Sequence, residues 1–351
     1  AAGLAAESAF SAPALTLLYA ITRGPIYDMY LVKLFCIGCF LLLGVLAMHH
    51  ADARGLGIRA EVILTLALIL PQGFLIAACA SQIEIASVLL LALSLTLARE
   101  GKRAACALCF GAAAALSGAA LYALPVYVWL IGRKRMPAKT FALALVPVLA
   151  LLAPALLCGM GPGAAVGSLF RANVLAPQYA SGAPGWVSLL PRPEVGEMPG
   201  YFMLRRLPEI DEVTNAQEFY TPEHFELMAR GMTLGALAAY MGVLALAARA
   251  KGWSALRRAL ALALAALLAC PAATGGAWLA VSLLSVYALA AEGELRLPAC
   301  LVLFATAGAA ALPVTQETLL PEAAAVALCV LALCMLLGIV PMRREEAERD
   351  A

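Results

Sequence analysis

Apolar residues in this chain come in long unbroken runs, and charged residues collect between the runs. Runs of this length suit helices that cross a bilayer, which takes about 20 residues each. The pattern predicts spans at 31–48, 60–79, 83–99, 104–132, 140–158, 230–249, 257–273, 276–291, 297–312 and 322–340. The stretch 104–132 is too long for one simple crossing. Ser117 and Gly118 at its centre, with Pro125 later, predict two short helices or a re-entrant pair. Pro71 predicts a break or kink in the second span, because proline removes a backbone N–H and clashes with the preceding turn. One long polar segment, from Gly159 to Glu226, interrupts the series. Loops of that length are usually functional or disordered. Near its end, Thr221 followed by Pro222 reads as an N-cap with proline at the first helical position, opening the helix that leads into 230–249.

Composition turns this pattern into a fold class. Hydrophobic residues make up 64% of the chain, charged residues 13%, and the mean hydropathy is +0.91. A soluble domain has about 45–50% apolar and about 25% charged residues, so a water-soluble fold is not expected. The runs show no alternation of the kind a membrane barrel needs, and helices satisfy every backbone group in hydrocarbon on their own. The expected fold is all-α, a polytopic transmembrane bundle of about 9–11 spans, forming one membrane domain over 1–351 with a long loop at 159–229. The net charge of +2 and the lack of basic runs interleaved with aromatics leave no nucleic-acid surface. The chain starts without methionine, and an N-terminal part is expected to precede Ala1.

Charge predicts the orientation. Arg54 and Arg59 form one cluster, and Arg99, Lys102 and Arg103 the next. They are followed by Arg133, Lys134, Arg135 and Lys139, then by Arg249, Lys251, Arg257 and Arg258, and last by Arg296, Arg343, Arg344 and Arg349. If 104–132 dips in and returns, these seventeen of the twenty-four Lys and Arg residues share one face, and short basic loops face the cytoplasm. The long loop, with eight acidic residues against Arg171, Arg192, Arg205 and Arg206, is then exoplasmic. The expected location is integral to a membrane, with the basic loops cytoplasmic and the long loop exoplasmic.

Few residues in the spans carry chemistry. Ionisable groups inside a membrane cost roughly 2.5–3.5 kcal/mol each at a helix centre, which makes them default functional candidates. Glu84 is the first of these, and its plain alternative is a capping box with Ser81. Asp28 and Lys33 read as interfacial anchors, and His49, His50 and Asp52 as a helix end where a cation complements the dipole. Arg171, Arg205 and Arg206 suit an anionic group such as phosphate, which guanidinium meets bidentately, or simply a headgroup layer. Cys36/Cys39 and Cys106/Cys109 match C-x-x-C without further ligands at zinc spacing, and read as small apolar residues. No metal or cofactor is identified; a divalent metal remains open but has no residue set behind it.

Several segments in order resemble the GT-C superfamily of membrane glycosyltransferases, in particular bacterial relatives of the GPI mannosyltransferases. They are Pro13–Tyr19, Ile26–Leu34, Pro71 with Ala80–Glu84 (ASQIE) in place of that family's Trp-Gly-Gln-x-Asp, Leu121–Pro125 followed by Arg133–Arg135, and Tyr179–Trp186. The resemblance implies sugar transfer at the exoplasmic face from a polyprenyl-phosphate-linked donor to a glycan or lipid acceptor, with a carboxylate as base. Carried onto this chain, it makes Glu84 and Glu7 the catalytic candidates, and Gln82, Arg171, Tyr179, Trp186, Arg205 and Arg206 the substrate-binding ones. The chain departs from the pattern at Ala80 and Ser81, and at Thr274–Trp278, where relatives often carry His-Glu-Arg-Tyr. The alternative is a non-catalytic GT-C-like protein that binds a lipid-linked glycan or supports a partner enzyme.

Overall fold

A computed structural model describes residues 25–53, 55–58, 61–62, 65, 73, 84–133, 136–157, 163, 184–186, 225–270, 273, 275–311 and 320–341. All regular structure among them is helical. The helices are α1 (Pro25–Asp52), α2 (Glu84–Arg99), α3 (Arg103–Leu116), α4 (Leu124–Gly132), α5 (Leu145–Leu157), α6 (Phe225–Arg249), α7 (Ala255–Ala269), α8 (Gly275–Ala291), α9 (Arg296–Ala311) and α10 (Leu320–Leu337). Short helical turns at Ala138–Phe141 and Ala142–Ala144 lead into α5. The stretches Tyr30–Asp52 and Gly231–Arg249 are long and apolar enough to cross a membrane. Only 33% and 28% of their windows are buried, so both turn most of their apolar surface outward.

The overlong run resolves as a helical hairpin. Ser117, in extended conformation, ends α3 and accepts a hydrogen bond from the Ala119 N–H, starting a 3-10 segment, Gly118–Ala123. Pro125 in the first turn of α4 then carries the chain back. The pair of α2 and α3 that leads into it is locked from inside. Ser87 donates to the Ala113 carbonyl at 2.8 Å, and Ser94 donates to the Cys106 carbonyl at 2.7 Å. The two bonds lie seven residues apart on α2 and seven back along α3, as an antiparallel pair requires. Because the Ser94 hydrogen is used, the buried Tyr127 hydroxyl donates to Ser94 at 2.8 Å, tying α4 to α2. The rings of Tyr127, Phe110 and Phe141 pack together, each against the other two. Gly111 lets the Ala144 carbonyl come so close that a Cβ would collide with it, the close backbone approach that small residues permit.

The remaining helices share a larger apolar core. Leu260, Leu264, Trp278, Val281, Val302 and Cys329 join α7, α8, α9 and α10, with Tyr240 and Val243 added from α6. A second cluster, Val32, Cys36, Phe40, Ile85, Val88 and Leu279, joins α1, α2 and α8, so α2 and α8 hold the two halves together. The expected span 257–273 is cut short: α7 stops at Ala269, and Cys270 turns extended with ψ 117°. Pro271 follows it in the sequence, and a residue before proline is pushed out of the helical region. The expected kink at Pro71 lies outside the described residues.

Hydrogen bonds gather the basic helix ends on one side. His50, in the last turn of α1, reaches Thr96 near the end of α2 at 2.8 Å. Ser254, which caps α7, donates to Glu292 just after α8 at 2.6 Å. Arg257 donates to the Leu336 carbonyl in the last turn of α10 at 2.7 Å, and Arg258 to the Ala250 carbonyl after α6 at 2.6 Å. Arg99, Lys102, Arg103, Arg249, Lys251 and Arg296 stand at these same helix ends. The start of α2, the end of α7 and the start of α8 form the other end of the bundle.

Candidate functional site

At that second end, the structure brings two of the sequence-predicted residues onto one side of the bundle. Glu84 is the first residue of α2 and is half-buried. Trp186 is buried, and its indole N–H donates to the Ala269 carbonyl at 3.4 Å. Helix C-termini leave carbonyls without intrahelical partners, so the indole caps α7 while pinning Pro184–Trp186 of the long loop to the bundle. Trp278, in the first turn of α8, is also buried at this end, and its indole nitrogen has no hydrogen-bond partner among the described residues. Glu7, Gln82, Arg171, Tyr179, Arg205 and Arg206 lie outside the described residues, as does Ser81 of the expected capping box.

A cavity in the described structure opens at the opposite, basic end. A groove of about 320 Å³ runs between α1, α2, α7 and α8, with walls that include Leu43, Val88, Ala92, Leu256 and Leu283. His50, Thr96, Arg99 and Tyr287 supply its polar groups. Thr96 spends its only hydrogen on the Ala92 carbonyl at 2.9 Å. The His50 Nε2 must therefore donate to the Thr96 oxygen, which sets the proton on that nitrogen. Beside the mouth, Lys102 pairs with Glu100 at 2.9 Å. That hydrogen bond and charge hold the exposed Glu100 carboxyl below the usual carboxylate range.

The expected helix-end placement of His49 and His50 holds, but the interhelical bond of His50 was not foreseen. The signal for it was Thr96, one of three hydroxyl residues (with Ser87 and Ser94) in the apolar stretch between Glu84 and Arg99, all three of which bond to helix backbone. The eight described cysteines form no disulfide among the described residues, and all are buried or half-buried. Among the described residues no three His, Cys, Asp or Glu side chains gather as a metal set.

Compared with known proteins, the chain matches no family model, no curated protein and no solved structure.

Proposed function

We propose that this chain is an integral membrane glycosyltransferase, mannosyltransferase-like, that moves a sugar from a polyprenyl-phosphate-linked donor to a glycan or lipid acceptor at the exoplasmic face of a bacterial inner membrane. The membrane part is supported by two long apolar helices that turn most of their surface outward, and by large exposed apolar side chains such as Leu34, Leu42, Leu145, Leu149, Leu234 and Phe304. The segregation of basic helix ends from the loop anchor supports the orientation, since short basic loops stay cytoplasmic.

The transferase reading is carried by one observation: Glu84 stands at the end of the bundle to which Trp186 ties the long loop. In that reading Glu84 takes the proton of an acceptor hydroxyl. The hydroxyl oxygen bonds to the anomeric carbon, the bond from that carbon to the phosphate oxygen breaks, and polyprenyl phosphate leaves with the electron pair. A positioned carboxylate base supplies about 10²–10⁴-fold in rate. Arg171, Arg205 and Arg206 are assigned to the donor phosphate, and Tyr179 to the sugar or lipid. Trp186 enters as the loop's anchor, since its ring is already buried and its N–H committed.

The second reading is a non-catalytic protein that binds a lipid-linked glycan or supports a partner enzyme, and the burial of Trp186 removes one aromatic platform under either reading. The two separate in a transfer assay on the full protein in proteoliposomes with a labelled polyprenyl-phosphate sugar. Transfer that falls about 10²-fold or more in Glu84→Gln, with donor binding retained, supports the enzyme. Wild-type turnover in Glu84→Gln removes Glu84 from the chemistry, and binding without any transfer by the wild type favours the second reading.

A further inference from the structure

We propose that the groove between α1, α2, α7 and α8 binds an anionic, phosphate-headed amphiphile, with one apolar chain between the helices and the head on Arg99. Its volume, about 320 Å³, lies at the small end of ligand pockets, which run to about 300–1,000 Å³, and suits a single chain. The walls are almost wholly apolar, whereas the polar groups gather where α1 and α2 end. A small soluble anion would leave those walls unused, and a pure hydrocarbon would leave the cationic mouth unused.

The assignment of the head rests on place: of the arginines at this end, Arg99 is the one that lines the groove. Arg257 donates its Nε–H to the Leu336 carbonyl and stacks on Trp253 at 4.8 Å, and Arg258 donates to the Ala250 carbonyl while its buried Nε has no partner among the described residues. Arg99 is exposed, lines the groove, and has neither an ion pair nor a side-chain hydrogen bond among the described residues. Glu100, the nearest acid in sequence, is held by Lys102. The mouth thus presents a guanidinium whose fork matches two phosphate oxygens, at the level where a bilayer places its headgroups. His50 and Thr96 shape the mouth and are already bonded to each other. The ligand is either an anionic phospholipid or a polyprenyl phosphate, since both offer this head on an apolar chain.

This site lies at the end away from Glu84 and Trp186. It depends on the membrane reading and not on the transferase reading, and its test reads binding rather than turnover. The full protein is equilibrated in detergent with phosphatidylglycerol, with polyprenyl phosphate, with zwitterionic phosphatidylcholine or with inorganic phosphate, and retained molecules are counted by native mass spectrometry. One molecule of phosphatidylglycerol or of polyprenyl phosphate is expected, and the arm that retains it names the source. Phosphatidylcholine and inorganic phosphate are retained at least about tenfold less, and Arg99→Gln lowers retention about tenfold, the scale of a charge-assisted hydrogen bond. Ala259→Trp, a change at an exposed position on the groove wall, blocks the chain, while Arg249→Gln, away from the groove, leaves retention unchanged. Retention unaltered in Arg99→Gln, or in Ala259→Trp with a wild-type melting temperature, overturns the proposal. So does equal retention of phosphatidylcholine, or absence of both anionic lipids.

Discussion

The two ends of this helical bundle spend their polar groups differently. At the basic end, arginines and a capping serine close helix termini: Arg257 reaches α10, Arg258 reaches the end of α6, and Ser254 joins α7 to Glu292. At the other end, the C-terminus of α7 is closed by a tryptophan from a distant loop, 83 residues away in sequence. Charged side chains stabilise termini where water and headgroups can solvate what is left over. An indole does the same job with one donor and a large apolar body, which suits a terminus that must stay covered. The difference teaches that the loop segment at Pro184–Trp186 is part of the packed structure at its end, whereas the basic end keeps one groove-lining arginine, Arg99, uncommitted.

The largest expected effect breaks the loop's anchor. Trp186→Ala removes a buried indole and uncaps Ala269, and is expected to cost about 3 kcal/mol or more of stability. Trp186→Phe keeps most of the packing and loses only the N–H, for about 1 kcal/mol. Chemical denaturation in detergent reads both. A Trp186→Ala protein as stable as wild type would mean that the contact with Ala269 does not hold the loop.

At the basic end the effects are smaller, because water can replace part of what is lost. Arg257→Ala gives up the bond to Leu336 and the stacking on Trp253, and is expected to cost about 1.5 kcal/mol. Arg257→Lys recovers little of this, since a point charge on a flexible stem reproduces neither the planar stacking nor the directed Nε–H. Full rescue by lysine in the same denaturation experiment would show that charge alone matters here. If Arg257→Ala costs as much as Trp186→Ala, the contrast between the two ends disappears.

Much of the fold was legible because membrane-scale apolar runs and charge clusters are long-range, redundant signals. The bounds of α2, α8 and α9 match the expected spans within a residue, and Ser117, Gly118 and Pro125 announced the hairpin from α3 to α4. The early stop of α7 has its cause in Pro271, which turns Cys270 out of the helix. Less could be read of the sites. The Ser94, Cys106 and Tyr127 network uses a backbone carbonyl as acceptor, and every residue has one, so spacing alone cannot find it. The groove depends on how four helices cross, which no single segment encodes. Trp186 was legible as important but not in its role, because an indole suits a sugar, a lipid and a helix terminus equally until a distance is known. Of the candidate site residues, Glu84 and Trp186 now have a place, and the other six lie outside the described residues.

The central claim is that the loop end and the basic end face opposite sides of a bilayer. Single cysteines placed at Glu209, Lys139 and Lys251, in a background with the ten native cysteines replaced, test it with a membrane-impermeant maleimide applied to intact spheroplasts. Labelling of Glu209→Cys from outside, with Lys139→Cys and Lys251→Cys labelled only after permeabilisation, is the predicted result. Labelling of Glu209→Cys and Lys251→Cys from the same side would contradict it.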